Sequence, residues 1–185
     1  MIKDVLAETH DKMNKALDAL AGDLRGIRTG RASPALVEKV MVEYYGVPTP
    51  VNQVATISVP EPRLLTIRPW ESNMLGPIEK AILKSDLGLT PNNDGKLIRL
   101  AIPRLSEERR EELVKRVRIR LEEARVAVRN VRRDAIEDMK ELQDEKLITE
   151  DDFYEGKEEI QKLTNDLVAQ IDEMGQHKEE EIRQI

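Results

Sequence analysis

Apolar residues at Leu6, Met13, Leu17, Leu20, Leu24 and Ile27 recur at three- and four-residue spacings among charged neighbours, the repeat of one buried helix face. The spacing predicts a helix ending near Thr29-Gly30, where glycine would supply the positive φ of a C-terminal cap. From Arg31 to Leu105 the pattern changes. All nine prolines fall in this stretch, which excludes long helices. Runs rich in β-branched residues at Val37 to Tyr45, Val51 to Val59, Arg63 to Trp70 and Leu97 to Ile102 predict short strands. Ser72 to Leu87 is expected to form one amphipathic helix with Ile78, Ile82 and Leu83 inward, Pro77 in its first turns and Gly88 closing it. Trp70 is expected in the core of this small segment.

Helical periodicity returns after Pro103. Ser106 is a candidate N-cap, although Arg109 stands where a capping box would have a carboxylate. Leu113, Val117, Leu121, Ala124, Val128, Val131, Ala135 and Leu142 form a narrow stripe that carries the helix to about Glu145, roughly 60 Å at about 1.5 Å per residue. After a tight connection at Lys146-Leu147-Ile148, Thr149 to Asp152 has the form of a capping box with carboxylates in the first turn. Phe153, Ile160, Leu163, Leu167, Ile171 and Met174 then repeat at coiled-coil spacing. Gly175 is expected to weaken this last helix by about 1 kcal/mol.

Three stripes this narrow must bury one another. The expected fold class is α+β: a long antiparallel three-helix bundle, residues 1–30 and 106–185, with a small β/α/β domain inserted at 31–105. The chain would cross between the two at Thr29, Gly30, Arg31 and again at Pro103, Arg104, Leu105, and two short connecting strands form a candidate hinge.

Composition agrees with elongated helices: charged residues make up 36% of the chain and aromatics 3%. The absence of cysteine excludes disulfides and thiolate chemistry. No secretory leader or run long enough to span a membrane is visible, so a cytoplasmic monomer is expected. The formal charge of -6 is unevenly spread. Met1 to Pro103 is nearly balanced, Arg104 to Arg133 carries eleven basic against six acidic residues, and Asp134 to Ile185 carries six against eighteen. One basic segment on an acidic protein favours docking a polyanion in a defined orientation.

That segment centres on Arg125-Val-Ala-Val-Arg129-Asn-Val-Arg132-Arg133. At 100° per residue, Arg118, Arg125, Arg129 and Arg132 fall within about 60° of one another, with Lys115 and Arg133 at the edge of the stripe. An ordinary solvated face would mix signs, yet Arg125 to Arg133 holds no acidic residue. Arginine pairs bidentately with phosphate, so an RNA backbone is the expected partner. With only Phe153 and Tyr154 as bundle aromatics, base stacking is a poor fit, and recognition by shape and phosphate position is expected.

Catalytic patterns are weak. His10 and His177 lie in different helices without a ligand cluster. Thr29 to Pro34 lacks the spacing of a P-loop. Asp86 to Gly95 lacks the ligand order of a calcium loop and is expected to be structural. No enzyme, metal or cofactor is expected. A second reading, an adaptor binding proteins through the acidic last helix, differs from the first in salt dependence.

Ile27-Arg28-Thr29-Gly30-Arg31-Ala32-Ser33-Pro34, Val42-Glu43-Tyr44-Tyr45-Gly46, Asp86-Leu87-Gly88-Leu89 and Arg125 through Asp134, in this order and spacing, resemble the bacterial ribosome recycling factor family over essentially the whole chain. The resemblance implies an L-shaped pair of domains and a non-enzymatic translation factor. Such a factor binds the post-termination ribosome and, with elongation factor G and GTP, separates the subunits. It further implies that Arg110, Arg129, Arg132 and Arg133 contact large-subunit ribosomal RNA, and that Arg28 and Arg31 are the arginines beside the hinge. Arg110 sits about 80° off the central stripe, so its role comes from the resemblance.

Overall fold

The computed structural model describes residues 1–27 and 29–184. Its helices in chain order are α1 (Ile2–Arg25), α2 (Leu75–Lys84), α3 (Glu107–Asp144) and α4 (Glu150–Arg183). The chain forms two compact units, Met1–Arg28 with Ser106–Gln184, and Thr29–Leu105. Arg28, which the resemblance implies to lie beside the hinge, is outside the described residues.

In the helical unit, α1, α3 and α4 each pack against the other two. Met13, Leu20, Val117, Val128, Met139, Ile160 and Ile171 are fully enclosed. Val114 and Met139 join the expected stripe of α3, whereas Leu6, Val131, Leu142, Leu163 and Met174 are only half-buried. Each stripe is therefore centred about where the spacing put it but differs at its margins.

The first helix is shorter than expected. It stops at Arg25, and its cap Gly26 has φ -72°, an ordinary right-handed value. Gly22 and Gly26 lie one turn apart, and each lowers helix propensity by about 1 kcal/mol relative to alanine, so the last turn is weakly held. Gly30 does take φ +80°, but in the linker, where it caps no helix.

Both long helices begin on side-chain caps. Ser106 Oγ accepts from the Arg109 N–H at 3.1 Å. Thr149 and Asp152 exchange reciprocal bonds of 3.1 and 3.0 Å, a complete capping box. Lys146, in the turn between them, has φ 61°.

Gly175 does more than dilute helix propensity. A Cβ placed on it would fall inside the Leu121 side chain of α3, and one placed on Gly156 would fall inside that of Met139. The two glycines let α3 and α4 approach closely, with Leu121 opposite 175 and Met139 opposite 156, an antiparallel register.

The small unit contains six strands: β1 (Met41–Tyr44), β2 (Val47–Pro50), β3 (Ala55–Glu61), β4 (Leu64–Pro69), β5 (Pro91–Asn93) and β6 (Ile98–Ala101). β1 and β2 form a hairpin, and the other four make an antiparallel sheet in the order β3-β4-β6-β5. β2 and β5 were not expected, because Pro48, Pro50 and Pro91 argue against strands. Each pairs on one side only, so the missing proline N–H groups break no ladder. Tyr45 and Gly46, both at positive φ, close the β1–β2 hairpin in the manner of a type I′ turn. Val37 and Val51, expected to start strands, instead follow and begin short 3-10 turns.

α2 is likewise shorter than predicted, since Ser72–Met74 is a 3-10 turn and Ser85 ends the helix. Ile78 and Ile82 are buried, but Leu83 is 59% exposed. One residue further is a 100° rotation, which carries Leu83 off the inward arc.

Trp70 is 65% exposed, against expectation. Leu65 and Ile67 point inward on β4, so the even-numbered positions that Trp70 continues point out. Its indole Nε1 donates to Thr56 Oγ1 at 3.0 Å. Trp70→Ala should accordingly lower unfolding stability by no more than about 1 kcal/mol, the scale of one exposed hydrogen bond. Native fluorescence should already show the red-shifted emission of a water-exposed indole; a blue-shifted native spectrum would contradict this geometry.

Asp86 to Gly95 contains β5 and a side-chain-locked turn. Asp94 accepts from the backbone N–H groups of Lys96 and Leu97 at 2.8 and 2.9 Å and from Arg99 at 2.6 Å. These bonds, the backbone ones first, hold its carboxyl at about 2, below the ordinary 3.8. A depressed folded pKa contributes stability that is present above pH 3.8 and lost as pH falls through 2. Urea unfolding should therefore show Asp94→Asn less stable than native protein at pH 5, with the two converging near pH 2.

Candidate RNA-binding face

The long axis of α3 displays its arginines in two groups with different neighbours. In the first half Arg118, Arg120 and Arg125 are tied to other helices, while Arg109 pairs with Glu112 of α3 itself. Arg118 Nε donates to Glu179 at 2.9 Å, Arg120 pairs with Asp23 of α1 and with Glu123, and Glu111 accepts from Arg183 at 3.0 Å. Arg125 contacts Asp172 at 2.5 and 3.0 Å and Glu122 at 3.2 Å. Hydrogen bonding to Asp172 and to Glu179 raises Arg125 and Arg118, respectively, above the ordinary arginine value. Both remain charged, but their charge is locally compensated.

The second group is different. Arg129 is half exposed and, among the described residues, reaches only Glu122 of its own helix, at 3.4 Å. Arg132 has no carboxylate within 4.0 Å among the described residues, and it donates to the neutral Gln161 Oε1 at 3.4 Å. Arg133 is 65% exposed, with Asp134 at 3.9 Å its one ion-pair partner among the described residues. The stripe predicted from helical rotation thus splits: Arg118 and Arg125 are drawn into α3–α4 ion pairs, while Arg129, Arg132 and Arg133 keep donors available for phosphate.

Arg110 lies near the start of α3, half-buried, with its Nε enclosed and without a hydrogen-bond partner. The linker residues Thr29 and Gly30 are buried while Arg31 is exposed. Pro103 and Arg104 are exposed and Leu105 is half-buried. Gln161, the one α4 side chain hydrogen-bonded to Arg132, was not anticipated. The signal was available in the alternation along α4, where the positions bordering α3 change from Glu179 and Asp172 to the uncharged Asn165 and Gln161.

No helix among the described residues is long and apolar enough to cross a membrane. A bundle of three helices, a separate small antiparallel sheet unit and a cationic ridge on α3 describe a helical factor with an insertion. The model of the ribosome recycling factor family matches residues 20–182, and the chain belongs to that family. It is 55% identical over 185 residues to the ribosome-recycling factor of Dehalococcoides mccartyi (strain CBDB1), with 100% of both chains covered. It is 57% identical, over the same full length of both, to that of Carboxydothermus hydrogenoformans. Among solved structures, a solution structure of a ribosome recycling factor matches with TM-score 0.74 and 43% identity, covering 100% of this chain and 98% of that one. A model of the T. thermophilus ribosome recycling factor, bound together with E. coli elongation factor G to the E. coli post-termination complex, matches with TM-score 0.62 and 47% identity over 98% of each chain. The family is one of translation factors, not enzymes.

Proposed function

We propose that this protein binds the post-termination ribosome in the cytoplasm and, with elongation factor G and GTP, promotes separation of the subunits for a new round of synthesis. Family membership and the relative placed beside elongation factor G support this reading. The observation that carries the docking surface is the run from Arg129 to Arg133, whose guanidinium groups meet no carboxylate of α4 within 4.0 Å among the described residues. These three contact phosphates of large-subunit RNA. Arg110 is a fourth contact on the strength of the family motif alone, its Nε being enclosed, whereas Arg118 and Arg125 act through long-range attraction and hold α4 in place. Thr29 to Arg31 and Pro103 to Leu105 form the hinge segments by which the small unit responds to elongation factor G.

Co-sedimentation of the native chain with large ribosomal subunits over a salt series tests the docking. Four phosphate contacts predict that log K falls against log salt with a slope of about -3 to -4. Light scattering with elongation factor G and GTP tests subunit separation. A salt-independent association would favour protein-mediated binding and remove the RNA reading.

A further inference from the structure

The two halves of the α3–α4 seam form an internal comparison. On α4, taking Gln161 as reference, Asn165, Asp172 and Glu179 lie within about 40° at 100° per residue, so they share one stripe bordering α3. Toward the C-terminal end of α4 the stripe is acidic, and each carboxylate captures an arginine: Glu179 takes Arg118, and Asp172 takes Arg125. Toward the N-terminal end the same stripe presents two amides. There Arg132 meets an oxygen with no formal charge.

The amide pair is ordered by its own hydrogen bond. Gln161 Nε2 donates to Asn165 Oδ1 at 2.9 Å, which sets the amide orientation and leaves Gln161 Oε1 to accept from Arg132 Nη1 at 3.4 Å. One of the five guanidinium N–H groups is thereby engaged while the positive charge stays uncompensated. Asn165 is exposed, and its Nδ2 has no protein partner among the described residues.

We infer that Gln161 is a positioning residue for Arg132, and that Gln161 and Asn165 together extend the RNA-docking face from α3 onto α4. This rests on the docking role assigned above to Arg132. Gln161 steers the guanidinium without lowering its attraction for phosphate. Asn165 offers its free N–H pair to a phosphate or sugar oxygen of the same RNA strand, a neutral donor beside a charged one. An acid at 161 would instead do to Arg132 what Asp172 does to Arg125. The chemistry of the α4 stripe therefore decides which arginines of α3 remain available.

The test uses four full-length proteins: native, Gln161→Glu, Arg132→Ala and the double variant, each co-sedimented with large ribosomal subunits across a salt series. Gln161→Glu keeps side-chain size at an exposed position, so thermal unfolding should be unchanged. Its affinity should fall about tenfold, the scale for removing one charge-assisted contact. The salt slope should shrink by about 0.7 to 0.9, one phosphate's worth. The double variant should lose less affinity than the two single losses combined, because much of the acid's effect acts through that arginine. Binding of Gln161→Glu within twofold of native, or a fully additive double variant, overturns the inference while leaving the docking reading intact if Arg132→Ala is weak. Native affinity in Arg132→Ala overturns both.

Discussion

The Arg129→Ala/Arg132→Ala protein should fold as the native one does yet lose affinity for the large subunit by at least about a hundredfold, on a scale of ~1.5–3 kcal/mol for each charge-assisted hydrogen bond. Helix content should not fall, because alanine is as good a helix former as arginine. Among the described residues neither guanidinium anchors another helix through a carboxylate: Arg129 reaches only Glu122 of α3, and Arg132 only the neutral Gln161. The matched control is Arg118→Ala/Arg125→Ala, which breaks the ion pairs to Glu179 and Asp172. That control should lower unfolding stability more than the first variant and ribosome affinity less. Circular dichroism, thermal unfolding and co-sedimentation separate the two. Equal losses of affinity from both pairs would show that overall charge, and not the position of particular arginines, governs docking.

The second large effect concerns packing. Gly175→Val should destabilise the bundle by about 1–3 kcal/mol, since a side chain there must displace Leu121 and β-branching leaves it few rotamers in a helix. Adding Leu121→Ala to the same chain vacates the space that valine needs. Partial recovery, measured as a coupling energy in a double-mutant cycle of urea unfolding, is the expected outcome. If the two losses simply add, the close approach of α3 and α4 at this point is not what limits the site.

The sequence reading succeeded where a single periodicity governs a long element. Stripes such as Leu113–Val117–Leu121 and Ile160–Leu167–Ile171 predict both the helices and the buried residues, because three or more turns repeat the same signal. It failed at short elements whose state is decided by neighbours. β2, with Pro48 and Pro50, is a strand only because an edge position tolerates them. Trp70 looked like core by size, but strand parity turned it outward. Gly175 looked like a defect in one helix, and its reason lies in the helix opposite.

The candidate site shows the same limit. Helical rotation groups four arginines of α3, yet it could not show that Asp172 and Glu179 come across to two of them. Which cations remain unengaged is a property of the pair of helices, visible only once their register is known.

That register has a mechanical consequence. Leu121 seated against Gly175 and Met139 against Gly156, with the Arg118–Glu179 and Arg125–Asp172 pairs flanking the first contact, act as detents along a shaft. Sliding one helix past the other by a single turn, roughly 5.4 Å, would set Leu121 and Met139 against residues that carry a Cβ and separate both pairs at once. A load applied along α3 is therefore passed on as movement of the helical unit and cannot be absorbed by telescoping.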